Sequence, residues 1–446
     1  MAFLPQASHL APQRVGVLAD DLTGAGDTAL QYFLGTGNPD VWIVPELHER
    51  PWAPPPTTAA LAVNVESRHL LPGQAAARVD RAARFLARSG CNRFYQKVDS
   101  TLRGNMAAEL LQALHTLDLE LAIVAPAFPQ AGRITVGGYQ LVDGVPVNVS
   151  SYGRDPVTPV KHCHLPTLLA EPLGWEAIAH LELREVMTGP EAVVSAIVKA
   201  VAQRKRALVI DAARAEDLAA IARGMALTPY RLLPVGSAGL AKAMQPHHLL
   251  DSPRQAPTLL ALRPPVLLVA GSLNPVTLAQ VRDAAQGAHI LELDVRGVLL
   301  GEEGALERTV ERARQLLLGR QDVLLTTAST DEAKLARDRQ LAKDLAMGGV
   351  QLGATLTTAL GRVVARLVGA ADVSGLVLAG GDTALGVCRA LGGGAMRVTG
   401  ELMPAIPVCR LELPGGPLRV VTKSGGFGAP DTLRELARRL KRGDAS

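Results

Sequence analysis

The sequence predicts an α/β fold of two domains, each a mostly parallel sheet flanked by helices. Three observations carry that expectation. Short runs rich in Val, Leu and Ala alternate with longer stretches whose apolar residues recur every three or four positions. Strands separated by helices of that length are joined by right-handed parallel crossovers. Aromatic residues make up only 3% of the chain against 48% hydrophobic overall, so the cores must be built from Ala, Leu and Val. Such cores suit helices packed on buried parallel strands. Finally, a stretch holding Pro246, Pro253, Pro257, Pro264 and Pro265 breaks the alternation without a period of its own. It reads as a linker, residues 246–265, between domains spanning 1–245 and 266–446.

In the first domain, strands are expected at Arg14–Leu18, Leu121–Ala125, Ala207–Asp211 and Arg231–Val235. Helices are expected at Gln74–Ser89, Met106–Leu117 and Glu191–Arg204. Between them, Gly132–Pro159 is rich in Gly, Val and Pro and has no helical period, which predicts hairpins leaving the domain. In the second domain, strands are expected at Val266–Ala270, Ile290–Leu293, Val323–Thr327 and Leu376–Ala379. The helices there are Pro275–Gln286, Leu306–Leu318, Glu332–Met347 and Thr357–Val368. The basic run Arg434–Arg442 reads as the solvated face of a last helix.

Composition removes several function classes. A net charge of +4 over 446 residues is too small to point to nucleic acid or a membrane surface. No apolar stretch approaches the roughly 18 residues of a membrane span, and no signal-peptide pattern opens the chain. Cys91, Cys163, Cys388 and Cys409 lack metal or redox spacing, which fits a reducing, cytoplasmic setting. His162 and His164 flank Cys163 without companion ligands, so no metal site is expected there.

The chemistry gathers in loops after apolar runs. Val15–Ala19 ends in Asp20-Asp21-Leu22-Thr23-Gly24. Ligands of parallel α/β sheets bind at the carboxyl ends of strands. A pair of Asp residues there can bind a hydroxyl, take its proton or help hold a cation. Either Asp20 or Asp21 suits the role of base, whereas Asp27 reads as a helix cap. The loop Lys97-Val98-Asp99-Ser100-Thr101-Leu102-Arg103-Gly104-Asn105 concentrates charge and hydroxyls. Lys97 and Arg103 suit a carboxylate, Arg by its bidentate fork. Ser100 and Thr101 offer hydroxyl and N–H donors near a helix start, beside Asp99. Arg68, after Asn64-Val65-Glu66-Ser67, is a second clamp.

The second domain repeats a different pattern. Gly271-Ser272, Gly380-Gly381-Asp382-Thr383 and Lys423-Ser424-Gly425-Gly426 each follow an apolar run. Glycines let the backbone approach a phosphate, and a following helix start favours anions. There is no Gly-x4-Gly-Lys-Ser/Thr loop, no Gly-x-Gly-x-x-Gly fingerprint and no Gly-x-Ser-x-Gly elbow. A carboxylate-binding first half and a phosphate-cradling second half describe a two-domain kinase.

These motifs, together with Pro126-Ala127-Phe128-Pro129, Gly144-Val145-Pro146, Asp155-Pro156, Gly236-Ser237-Ala238-Gly239-Leu240 and Gly425-Gly426-Phe427-Gly428, resemble the four-carbon acid sugar kinase family over nearly the whole chain. That family includes D-threonate, D-erythronate and 3-oxo-tetronate kinases. The resemblance implies a sugar-acid domain followed by an ATP domain, with the ATP γ-phosphoryl group passing to the terminal hydroxyl to give a 4-phosphate. It implies that Asp20 or Asp21, Arg68 and the Lys97–Arg103 loop, with Asp99, Ser100 and Thr101, bind the acid. Ser272, the Gly380–Thr383 turn (Gly380, Gly381, Asp382, Thr383), Gly425 and Gly426 would bind ATP. Catalysis is expected from Asp21 or Asp20 as base, with Lys97 and Arg103 steadying charge. Mg2+ would bridge the phosphates, mostly through water and phosphate oxygens.

The sequence departs from the family pattern at Gly426, where Asn is usual, at Ala405, where Gly is common, and at Gly138-Tyr139, where Gly-His or a similar pair is usual. The expected partners are a small sugar acid and ATP, with neither nucleic acid nor membrane; a homo-oligomer would be ordinary. The rival readings are a sugar-acid-binding protein of this fold without turnover, and a dehydrogenase. The missing dinucleotide fingerprint argues against the latter.

Overall fold

The computed structural model describes residues 13–442, apart from 37–39, 49–51, 156–157, 246–264, 273, 328, 330, 372 and 374. The expected linker therefore lies outside the described residues except for Pro265, and so does Pro156 of the Asp155-Pro156 motif.

The first half carries β1 (Val15–Ala19), β2 (Val41–Val44), β3 (Ala60–Asn64), β4 (Arg93–Lys97), β5 (Leu121–Ala125), β6 (Arg133–Val136), β7 (Tyr139–Val142), β8 (Val145–Pro146), β9 (Ile178–Leu181), β10 (Ala207–Ile210) and β11 (Leu232–Gly236). The second carries β12 (Val266–Ala270), β13 (His289–Glu292), β14 (Val323–Thr326), β15 (Gly375–Ala379), β16 (Met396–Met403), β17 (Ile406–Leu411) and β18 (Leu418–Lys423). Eight strands of the first half pair in parallel in the order β2-β3-β1-β4-β11-β5-β10-β9. In the second half β13, β14, β12, β15 and β18 are parallel, and β17 and β16 continue the sheet antiparallel.

The two sheets meet edge to edge. Met396 and Arg397 of β16 pair antiparallel with Ile43 and Trp42 of β2, making one 15-stranded sheet. Both halves thus keep an α/β sheet, and each covers the other's open edge. Strands such as β1, β5, β12 and β15 are buried at every position, as strands covered on both faces must be. One apolar layer runs across the seam: Leu22, Ala25 and Leu30 share it with Leu360, Val363 and Ala384.

The expected elements sit where the periodicity places them, most with ends shifted by up to three residues: Val266–Ala270 coincides, Gln74–Ser89 becomes Pro72–Arg88 and Glu332–Met347 ends at Asp344. Thr357–Val368 extends back to Gly349. The last helix, Thr432–Arg442, buries Leu433, Leu436 and Leu440 and turns its basic residues outward. The Gly132–Pro159 stretch is the expected excursion, a small antiparallel sheet in the order β6-β7-β8. Asp211, just past β10, anchors it by accepting the Gly137 and Gly138 N–H groups at 2.6 and 2.9 Å.

Candidate active site

At the carboxyl end of β1, Asp20 and Asp21 share a single cation. Arg68 Nε and Nη2 lie 2.9 and 2.8 Å from Asp20 Oδ2, while Nη1 and Nη2 reach Asp21 Oδ2 and Oδ1 at 3.2 and 3.1 Å. The fork geometry of guanidinium is what lets one side chain serve both acids. Asp21 also accepts the Thr23 hydroxyl at 2.6 Å and the Gly24 N–H at 2.8 Å. Burial alone would raise Asp21, but Arg68, Lys97 and those bonds hold its carboxyl below the ordinary range. Asp20 is only 3% exposed. There burial prevails over Arg68 and pushes the carboxyl up.

The loop after β4 is tied just as closely. Asp99 accepts Thr101 N–H, Thr101 Oγ1 and Arg103 Nε at 3.2, 2.5 and 2.5 Å. Against the cost of burial, Arg103 and Arg68 hold Asp99 far below the carboxylate range. Arg103 lies 5.3 Å over the Tyr152 ring, and Arg133 Nη2 donates to Tyr152 Oη at 3.3 Å, so the excursion caps this loop. Leu102 and Glu66, both beside the acids, have left-handed φ values of 62° and 52°, a strain that side chains bear where a site demands it.

These groups face the second half across a cleft. Asp21, Arg68, Lys97 and Arg103 line one wall, and Thr422, Ser424 and Gly426 the other. Ser272, Gly380, Thr383 and Gly425 pack together beside it: a Cβ on Gly425 would lie 3.0 Å from Ser272 Oγ, and one on Gly380 3.5 Å from Thr383 Oγ1. Gly380, at φ 103°, makes the turn that opens the helix Gly381–Ala390. Lys423 pins the last glycine loop through the Ser424 and Phe427 carbonyls at 2.6 and 2.8 Å. Burial pushes its ammonium down to about 7. Among the described residues no cluster of His, Cys, Asp and Glu could hold a metal ion, and no helix is long and apolar enough to cross a membrane.

A model of a sugar-binding N-terminal domain matches residues 15–244, and one of a nucleotide-binding C-terminal domain matches residues 267–433. A D-threonate kinase of Salmonella typhimurium is 35% identical over 94% of this chain and 96% of its own. The chain belongs to the four-carbon acid sugar kinase family. It is a phosphotransferase acting on an alcohol group. A D-erythronate kinase of Heliobacterium modesticaldum is 30% identical over 94% of both chains. A 3-oxo-tetronate kinase of Cupriavidus necator is 29% identical over 96% of this chain and 97% of its own. A crystal structure of a Haemophilus influenzae protein shares the fold at TM-score 0.70 and 23% identity, covering 95% of this chain and all, 100%, of that one.

In this kinase the residues expected to bind the acid gather in one place: Asp21, Arg68, Lys97, Asp99, Ser100, Thr101 and Arg103 line the cleft, with Asp20 directly behind Arg68. Of those expected to bind nucleotide, Gly426 lines the cleft, and Ser272, Gly380, Gly381, Thr383 and Gly425 form the adjoining wall. The Asp382 side chain is 65% exposed and reaches His69 at 3.4 Å. Tyr139 lies apart: it is 49% exposed, with its ring tilted against His164 at 4.6 Å between centroids. Ala405 and Gly426, the other departures, do line the cleft.

Asp27 is no cap. It sits inside the helix Leu22–Thr36 and lines the cleft. Thr23 and Asp27, four apart and therefore on one helix face, were the signal for it. Arg133 and Tyr152 reach the cleft from the excursion, and no spacing in the sequence announces them.

Proposed function

We propose that this kinase transfers the γ-phosphoryl group of ATP to the terminal hydroxyl of threonate, erythronate or 3-oxo-tetronate, giving the 4-phosphate. The observation that carries the reading is the cleft itself, in which an Arg/Lys anion clamp from residues 15–244 faces glycine-rich turns from residues 267–433. Residues 1–245 would bind the acid and 266–446 the nucleotide.

Lys97, Arg68 and Arg103 supply positive charge for the carboxylate and the moving phosphoryl group, and Ser100 and Thr101 supply donors. Asp20, Asp21 and Asp99 fix those cations in place and orient the acid. Ser272, the Gly380–Thr383 turn, Gly425 and Gly426 cradle the phosphates through backbone N–H groups and hydroxyls. Mg2+ would enter with ATP, carried mostly on phosphate oxygens and water. When bound it neutralises charge on the phosphates.

The test is ADP release with a panel of four-carbon acids, with and without Mg2+. D-threonate heads the panel because relatives at 35, 32 and 33% identity bear that activity's name. Binding of a tetronate without ADP release from any member would leave only a binding protein.

A further inference from the structure

Phosphoryl transfer to an alcohol needs somewhere for the hydroxyl proton to go, and the acids first expected to take it are poorly placed. Asp21 has both oxygens occupied by Arg68, Thr23 and Gly24. Asp99 is filled by Thr101 and Arg103. Asp20 lies behind Arg68 and does not line the cleft. A carboxylate that already accepts several charged or backbone donors is a weak base.

Asp27 differs from Asp21 and Asp99 by its unpartnered oxygen, and from Asp20, whose Oδ1 is likewise buried without a partner, by its place. It lines the same cleft, which residues of both halves form. Its Oδ1 is buried and accepts no hydrogen bond, though the residue as a whole is part-exposed to the cleft. Across from it, Thr422 Oγ1 is also buried without a partner, and a Cβ on Gly26 would sit 3.1 Å from that hydroxyl. A buried oxygen without a donor binds a proton more readily than a solvated one.

We propose that Asp27 is the general base of the reaction, accepting the proton of the sugar-acid hydroxyl in the cleft. The inference rests on the kinase reading above. An oxygen lone pair of the hydroxyl forms the new bond to Pγ, and the bond from Pγ to the β,γ-bridging oxygen breaks, its electron pair leaving with ADP. The hydroxyl proton passes to the Asp27 carboxylate and then to water once product has left. Burial pushes the Asp27 carboxyl up to about 7. Lys97 opposes that rise, and Asp21 and Glu401 add to it; the buried Tyr95 hydroxyl also faces this acid. Such a value is matched to proton transfer near neutrality.

The experiment is steady-state kinetics of the wild type, Asp27→Asn and Asp27→Glu from pH 5.5 to 9, with affinities for the acid and for a non-hydrolysable ATP analogue measured by calorimetry. In the wild type, kcat should rise with pH through a limb near 7. Asp27→Asn should lose about 10²–10⁴ in kcat and lose that limb, while both affinities stay within about threefold. Asp27→Glu should keep a rising limb at reduced kcat. Asp27→Asn turnover within about threefold of wild type, or with its limb intact, overturns the assignment and leaves the kinase reading standing. If the variant does not fold, a flat wild-type profile overturns the assignment by itself. A wild type that releases no ADP with any tetronate overturns both.

Discussion

Gly381 of the nucleotide half lies against Asp21 of the sugar-acid half so closely that a Cβ there would sit 2.7 Å from Asp21 Oδ2. The neighbour is a carboxylate already clasped by Arg68, so it has little room to give. Gly381→Ala should therefore separate the two walls of the cleft without unfolding either half. A displacement near 1 Å can cost on the order of 10²-fold in rate. Steady-state kinetics should show kcat/KM down by about 10- to 100-fold with melting temperature nearly unchanged. Undiminished activity would mean that the contact does not set the closed geometry.

Lys423 makes a pH prediction. Its folded value is lowered from 10.5 to about 7, so between those pH values the unfolded chain binds the extra proton. Stability should then rise with pH across that window, and Lys423→Met should flatten the slope in thermal melts. Phosphate oxygens brought beside the ammonium would favour its charged form. ATP binding near pH 8 should accordingly take up a fraction of a proton, seen as a dependence of calorimetric enthalpy on buffer ionisation heat. No such dependence would place the phosphates away from Lys423.

The parallel sheet was legible because each buried strand leaves a short apolar run and each crossover helix a period near 3.6. The motifs were legible because strand ends put Asp20, Lys97 and Gly380 where α/β sheets bind ligands. The seam was not: Val41–Val44 is too short to announce itself, and its pairing with Met396 and Arg397 depends on partners more than 350 residues away in sequence, as the numbering shows. Asp27 left only a faint trace, its four-residue spacing from Thr23, which reads as surface or cap until the helix's buried face is known. Tyr152 reaches Arg103 only through the fold of the excursion, which Asp211 anchors from a distant strand end.

Arg389 bridges the halves, with Nε and Nη2 2.8 and 2.9 Å from the Glu46 carboxylate and Nη2 2.6 Å from Glu66 Oε2. Glu66 directly precedes the Ser67-Arg68 clamp, so the bridge ties domain closure to the acid site. Arg389 is 42% exposed, and pairs of that kind contribute about 1 kcal/mol or less to stability. Arg389→Ala should leave the melting temperature within a few degrees yet raise KM several-fold. The difference between wild type and variant should shrink as salt rises from 0.05 to 0.5 M, because screening weakens the bridge in the wild type. A gap in KM that is independent of salt would sink the electrostatic account.

Ala405 carries a strain that a single substitution can remove. Met403 and Ile406 close the β16–β17 hairpin, with Pro404 and Ala405 between them. Pro at the first central position and a φ of 63° at the second is the pattern of a type II turn, which normally takes Gly second. A left-handed backbone costs a residue with a Cβ about 1–2 kcal/mol. Gly gives back about 0.5–1 kcal/mol of that through the greater freedom of its unfolded chain. The bond from Ala405 N–H to Glu401 Oε1, at 2.9 Å, needs only the backbone and survives the change. Ala405→Gly should thus stabilise the protein by up to about 1.5 kcal/mol, a rise of about 1–3 °C in melting temperature. Because the lost methyl lines the cleft, KM values are to be measured alongside, and a lower melting temperature would show that the turn is relaxed as it stands.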